Sequence, residues 1–154
     1  MLRDNKNKDI MHSAINFLAY RARSKAELFS KLIKKYKLDD IKSVIKELEV
    51  KGYVNDKEFA KMYSSNLIKN KLLSKKAVKH RLLKHKISED ILNPILDNIF
   101  SQLNEKQIIF KIIKKKINKN ENMNDKDIAK LFLYLKRKGF YLNDIKDVAR
   151  EFNI

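Results

Sequence analysis

Apolar residues recur along the chain at intervals of three and four, the spacing of helix faces packed on a core. A first helix is predicted over about 9–23, with Ile10, Ala14, Ile15, Phe17 and Leu18 facing inward, and the polar residues before Asp9 are expected to fray. Ser24 caps a second helix, Glu27 completes a capping box three residues on, and Leu28, Leu32 and Ile33 form its stripe. A third helix, about 39–51, carries Ile41, Val44, Ile45 and Leu48, with Asp39 and Asp40 in the first turn where the helix dipole favours acids.

The stretch Gly52–Ala60, G-Y-V-N-D-K-E-F-A, stops this helix and starts the next with almost no loop. Gly52 supplies a left-handed residue, and Tyr53 is placed to fold back on Leu48. Asn55 is an N-cap with Glu58 as its box partner, Asp56 opens the new helix, and Val54 and Phe59 form a hydrophobic staple. Ala60 continues the apolar stripe, so Gly52, Tyr53, Asn55, Asp56, Phe59 and Ala60 form a structural junction with no nucleophile or metal set in it.

The pattern then restarts. A fourth helix, about 56–71, carries Phe59, Ala60, Tyr63 and Leu67, and Ser74 begins a fifth with Val78, Leu82 and Leu83. A sixth starts at Ser88 with an Ile87–Leu92 staple, and Pro94 should kink it or make it restart at Asn93. Asn104 and Gln107 form another box, with Leu103 stapled to Ile108, ahead of a seventh helix bearing Ile108, Ile109, Ile112 and Ile113. Residues 119–122 form a polar loop. Asn124 caps an eighth helix lined by Ile128, Leu131, Phe132 and Leu135, with a Met123–Ile128 staple. Gly139 and Phe140 repeat the Gly52–Tyr53 stop, and a last helix from about Asn143 holds Ile145, Val148 and Phe152.

At an offset of fifty, Ser24, Leu28, Leu32, Ile33 and Ile41 fall on Ser74, Val78, Leu82, Leu83 and Ile91. The expected fold is therefore all-α: three tandem three-helix repeats, 1–54, 55–102 and 103–154, forming an elongated, curved modular array.

Composition agrees with helices: 2 Gly and 1 Pro in 154 residues, 44% apolar and 36% charged. No cysteine means no disulfide and no thiolate zinc site. No signal-like or membrane-spanning apolar run is present, and a cytoplasmic monomer is expected. His12, His80 and His85 do not make a metal set, the paired acids fall in first turns of helices, and both glycines are helix stops; we expect no catalytic residue, metal or cofactor.

The formal charge of +17 changes the picture, because a charge that large points to a polyanion. Three basic clusters are candidate partner or nucleic-acid contacts. Arg21, Arg23, Lys25 and Lys31 surround the first helix corner, and Lys75, Lys76, Lys79, Arg81, Lys84 and Lys86 load the fifth helix. Lys111, Lys114, Lys115, Lys116 and Lys119 load the end of the seventh. Tyr20, Tyr36, Tyr63 and Tyr134 are assigned to the core rather than to base stacking.

A-Y-R-A-R-S-K-A-E-L (Ala19–Leu28), then Lys31 and Leu32, then K-G-Y-V-N-D-K-E-F-A (Lys51–Ala60), resemble the signature of the RecX family of bacterial recombinase regulators. Where that family carries a glycine between the fourth and fifth helices, this chain has N-K-L-L-S (Asn70–Ser74). The resemblance implies a non-enzymatic modulator of RecA that lies in the groove of the RecA–single-stranded-DNA filament. It would limit filament extension, ATPase, strand exchange and coprotease activity, and could also bind DNA directly. Two alternatives stand beside it: a basic helical module that binds nucleic acid without RecA, and an enzyme, for which no motif is present.

Overall fold

The computed structural model describes residues 2–119 and 123–154, and for residues 2–4 only the backbone. Among them are nine α-helices and no strand: α1 (Leu2–Tyr20), α2 (Lys25–Leu32), α3 (Leu38–Val50), α4 (Asp56–Lys71), α5 (Lys75–Lys84), α6 (Glu89–Ser101), α7 (Glu105–Ile117), α8 (Asp125–Arg137) and α9 (Leu142–Arg150). The predicted polar loop falls partly at 120–122, outside the described residues.

The chain forms two compact units, Met1–Tyr63 with Leu82–Leu92, and Ser64–Arg81 with Asn93–Ile154. Each of the three middle helices contributes to both. The first unit is built on α1, α2 and α3, whose Ile10, Ala14, Leu28, Leu32, Ile41, Val44, Ile45 and Leu48 pack with Val54 into one core. The second has a core of Ile108, Ile109, Ile112 and Ile113 from α7, Leu131 and Leu135 from α8, Phe140, and Ile145, Val148 and Ala149 from α9.

Local signals set most helix ends. Ser24 has an extended backbone, its side chain accepts from the Glu27 N–H at 3.2 Å, and the Glu27 carboxylate takes the Ser24 N–H at 3.3 Å, so the box is complete. Gly52 has φ +76°, its N–H donates to Glu49 O at 3.0 Å and the Tyr53 N–H to Leu48 O at 2.9 Å, the two bonds of a Schellman stop. Gly139 repeats it with φ +91° and bonds to Lys136 O at 2.9 Å and from Phe140 N–H to Leu135 O at 3.4 Å. Asn55 caps α4 by accepting from Lys57 and Glu58 N–H groups, and Asn104 and Asn124 cap α7 and α8.

Several expectations are corrected. α1 begins seven residues before Asp9, because the polar segment is held by its register on α3, including a Lys6–Asp40 pair at 3.4 Å, while Ile10 and Ala14 anchor it in the core. Ile33, the C-cap residue just past α2, and Leu83, next to last in α5, are exposed, since each lies where a short helix ends and the chain turns. Tyr53 is 61% exposed and Val54 takes its inward place, the Val54 N–H also reaching Leu48 O at 3.3 Å. In the second stop Phe140 does lie in the core. The Glu58 carboxylate bonds Lys61 at 2.8 Å rather than closing a box on Asn55. Leu103 lies at the surface instead of stapling Ile108.

Pro94 does not restart α6, which is continuous from Glu89 to Ser101. Proline in the interior removes one backbone bond, and the flanking Leu92, Ile95 and Leu96, all buried, hold the helix together. Tyr20, the last residue of α1, is 84% exposed, not core. In place of a glycine between α4 and α5, Leu72 itself adopts the left-handed conformation, φ +50°, and is partly buried against the second core. Burial of the leucine offsets a backbone penalty of ~1–2 kcal/mol.

Candidate partner and nucleic-acid interface

The first corner sets the geometry of the site. α1 ends at Tyr20, leaving its last carbonyls without helical donors. Arg23 answers one of them, its Nε donating to Phe17 O at 3.1 Å while its guanidinium lies over the Phe17 ring at 5.7 Å. The residue is therefore mostly buried, although the sequence offered it as a surface cation. Arg21, more exposed, grips Glu27 with both terminal nitrogens, at 2.9 and 3.2 Å.

Glu27 is the hub. Its carboxylate holds the Arg21 fork, takes the Ser24 N–H, and stands 3.3 Å from His85 Nδ1. Burial pushes the Glu27 carboxyl up, but the hydrogen bonds from Arg21 and Ser24 and the charges of Arg21 and His85 outweigh it and hold the group below its ordinary range. The same bonds to Glu27 raise Arg21. The Ser24 hydroxyl donates to His85 O at 2.8 Å, and the His85 ring meets Phe59 and Tyr63 edge-on, with centroids 5.3 and 4.6 Å apart.

Around this hub lies a cleft of about 550 Å³ lined by Arg21, Arg23, Ala26, Glu27, Ser30, Lys31, Lys84, His85 and Lys86. It joins two of the basic clusters that the sequence kept apart, the first corner and the end of α5. Five fixed cations face one carboxylate there. Lys86 sits in the cleft in a left-handed conformation, φ +56°.

A second groove, of about 620 Å³ and largely apolar, is lined by Ile15, Leu18, Ala19, Ala22 and Arg23 from one side of the chain and Gly52, Tyr53, Asn55, Glu58, Phe59 and Met62 from the other. Ile15, Tyr53 and Met62 are all exposed in it. The stretches 19–28 and 51–60 thus converge on one surface, so the junction is the wall of a groove as well as a helix stop. Arg23 lines both groove and cleft.

Other candidate cations have structural partners. The Lys25 N–H donates to Asp56 Oδ1 at 2.7 Å and its ammonium to Glu49 at 2.7 Å. Fifty residues on, the Lys75 N–H donates to Glu105 at 2.6 Å and its ammonium to Asp97 at 2.6 Å. Each lysine links the start of one helix to acids on two others, a correspondence that restates the sequence repeat in side-chain bonds. Lys76 lies over the Tyr141 ring at 5.7 Å, Lys79 is partnered, and Arg81 is exposed. Lys111, Lys114 and Lys115 form an exposed ridge on α7 in the second unit, apart from Lys116, which lies 5.1 Å over Tyr134.

Sequence reasoning missed the roles of Glu27, His85 and Lys86. Glu27 was legible only as a cap, and nothing in sequence spacing places His85 beside it. Among the described residues no group of three or more His, Asp or Glu could hold a metal ion, and no helix is long and apolar enough to cross a membrane.

This is an all-helical protein whose first unit carries a largely apolar recess and a basic one side by side, both lined by Arg23. It belongs to the RecX family. Residues 11–48 match the model of the first three-helix domain of RecX. The chain is similar to the regulatory protein RecX of Clostridium perfringens, 33% identical over 143 residues, and to that of Caldanaerobacter subterraneus subsp. tengcongensis, 26% identical over 140. Each alignment covers 90% of this chain but only 66% and 68% of those relatives, so the chain spans about two thirds of their length. In fold it resembles the crystal structure of RecX from Lactobacillus salivarius, with a TM-score of 0.81 at 21% identity, covering 97% of this chain and 98% of that one.

Proposed function

We propose that this protein regulates RecA by binding in the groove of the RecA–single-stranded-DNA filament and limiting its extension, and with it ATPase, strand exchange and coprotease activity. The observation that carries the reading is the pair of recesses in the first unit, one apolar and one basic, sharing Arg23. A nucleoprotein filament offers both kinds of surface, protein and phosphate backbone, within one groove. The apolar recess suits the protein and the basic cleft the backbone. On this reading the protein acts as a cytoplasmic monomer of three repeats, 1–54, 55–102 and 103–154, by binding and not by catalysis.

The test is RecA ATP hydrolysis on single-stranded DNA, started before the protein is added. A progressive loss of rate at substoichiometric amounts is expected, because a block at the growing end acts through net disassembly. An unchanged rate and filament length at stoichiometric excess refute the proposal. Met62→Glu, which places a charge in the apolar groove without touching the core, should weaken the effect about tenfold or more.

A second reading, a nucleic-acid module acting without RecA, is favoured by the excess of cations over acids in the cleft. It predicts tight, salt-sensitive binding to bare DNA together with no effect on RecA.

A further inference from the structure

The cleft around Glu27 holds an ion pair of unusual placement. The Arg21 fork is the most capable anion receptor in the cleft, and an internal carboxylate occupies it, at 2.9 and 3.2 Å. Both partners reach solvent, the Arg21 side chain 46% and the Glu27 side chain 22% exposed, so an incoming anion has access to the pair. Lys31, Lys84 and Lys86 line the same recess and have no carboxylate within ion-pair distance among the described residues. One carboxylate is thus set against several cations that it does not neutralise.

We propose that this cleft is a phosphate-binding site whose resident anion is the Glu27 carboxylate, and that an incoming phosphodiester takes the Arg21 fork over from it. A phosphate presents two oxygens to a guanidinium as a carboxylate does, so the exchange keeps the geometry of the Arg21 contact. Glu27 is not orphaned by the exchange: it retains the Ser24 N–H at 3.3 Å and His85 Nδ1 at 3.3 Å. The lysines without acids then meet the remaining phosphate charge. Glu27 accordingly has two roles, holding Arg21 and the start of α2 in place when the cleft is empty and raising the threshold for anion entry. The location rests on the reading of a phosphate-facing surface given above, and the role of Glu27 goes beyond it.

The experiment uses the full chain and a fluorescein-labelled oligothymidylate, with fluorescence anisotropy as the readout. Glu27→Gln keeps a side chain that can complete the capping box, and circular dichroism checks that helix content is retained. It should tighten binding about fivefold, the factor produced by one unit charge at contact distance in a water-like medium. A purely structural role for Glu27 would weaken binding instead. Lys31→Glu combined with Lys84→Glu, both on exposed side chains, should weaken it at least about tenfold and reduce the salt slope by about 1.4.

A methylphosphonate oligomer of the same sequence, without backbone charge, should not bind. Inorganic tripolyphosphate separates the sources of phosphate: competition marks free polyphosphate as an acceptable ligand, and failure to compete assigns the cleft to the strand. Weaker or unchanged binding by Glu27→Gln, wild-type binding by the charge-reversed variant, or equal binding of the uncharged oligomer overturns the proposal. Parallel RecA ATPase assays keep the two ideas apart. Inhibition of RecA with no cleft binding sinks this inference alone, and cleft binding with no effect on RecA sinks the filament reading alone.

Discussion

Alanine at each of the two glycines separates backbone strain from close packing, because both glycines occupy the same left-handed position in the same kind of helix stop. Gly52 has φ +76° and a methyl group there would meet nothing within 4 Å, so Gly52→Ala carries only the left-handed penalty, about 1–2 kcal/mol. Gly139 has φ +91°, and its methyl would fall 2.3 Å from Ser74 Oγ, 2.9 Å from Ala77 Cβ and 3.2 Å from Ala77 N. The Ser74 hydroxyl can rotate only by giving up its 3.2 Å cap on the Ala77 N–H, and the α5 backbone can retreat only by stretching the 3.1 Å bond from Ser74 N–H to Lys138 O. Overpacking adds about 1–3 kcal/mol and a strained or lost hydrogen bond about 1 kcal/mol. Gly139→Ala should therefore cost about 3–6 kcal/mol. Urea unfolding followed by far-ultraviolet circular dichroism measures both. Equal losses, within about 0.5 kcal/mol, would refute the argument that the close approach of α5 to the second stop is what demands glycine there.

Lys86→Gly should stabilise the protein by about 0.5–1 kcal/mol, since relief of the left-handed backbone at φ +56° exceeds the added freedom of the unfolded chain, and a raised melting temperature checks it. Leu28→Ala, at a fully buried site, should cost about 2–5 kcal/mol, while Ile33→Ala, at a residue 42% exposed on the same predicted stripe, should cost under about 1 kcal/mol in the same unfolding assay. The folded Glu27 carboxyl lies below its ordinary value of 4.5, so it binds its proton less readily folded than unfolded. Its stabilisation is then present at neutral pH and lost as pH falls through the depressed value. The urea midpoint of wild type should exceed that of Glu27→Gln by the equivalent of at most about 1 kcal/mol near neutrality, given partial exposure and screening, and the difference should close below the ordinary carboxylate range.

The helix plan was legible because its signals are short. A capping box spans four residues and a Schellman stop six, and each is closed by bonds inside that span. Ser24 with Glu27, Gly52, Asn55, Gly139 and the isoleucines of α7 therefore declare themselves with no knowledge of the fold. The misreadings occur where partners lie far off. The segment before Asp9 looks like a frayed tail until α3 is beside it, and Ile33 and Leu83 follow helical spacing but sit where their helices stop. Leu72 and Lys86 adopt a conformation that local preference opposes.

The site was legible in its composition and not in its arrangement. The charge of +17 and the basic clusters indicate a surface for anions, and residues 19–28 and 51–60 carry the family resemblance. That those two segments wall one groove, that Lys84 and Lys86 join Arg21 and Lys31 in one cleft, and that Lys25 and Lys75 are taken up by acids depends on contacts between residues far apart in sequence. The sequence by itself determined an all-helical chain with capped and stopped helices, because hydrogen bonds closing within a few residues need no tertiary partner. Only the tertiary structure decided which cations stay available and which carboxylate faces them, because burying the apolar stripes fixes the helix faces and charged side chains then pair with whatever packing has brought within reach.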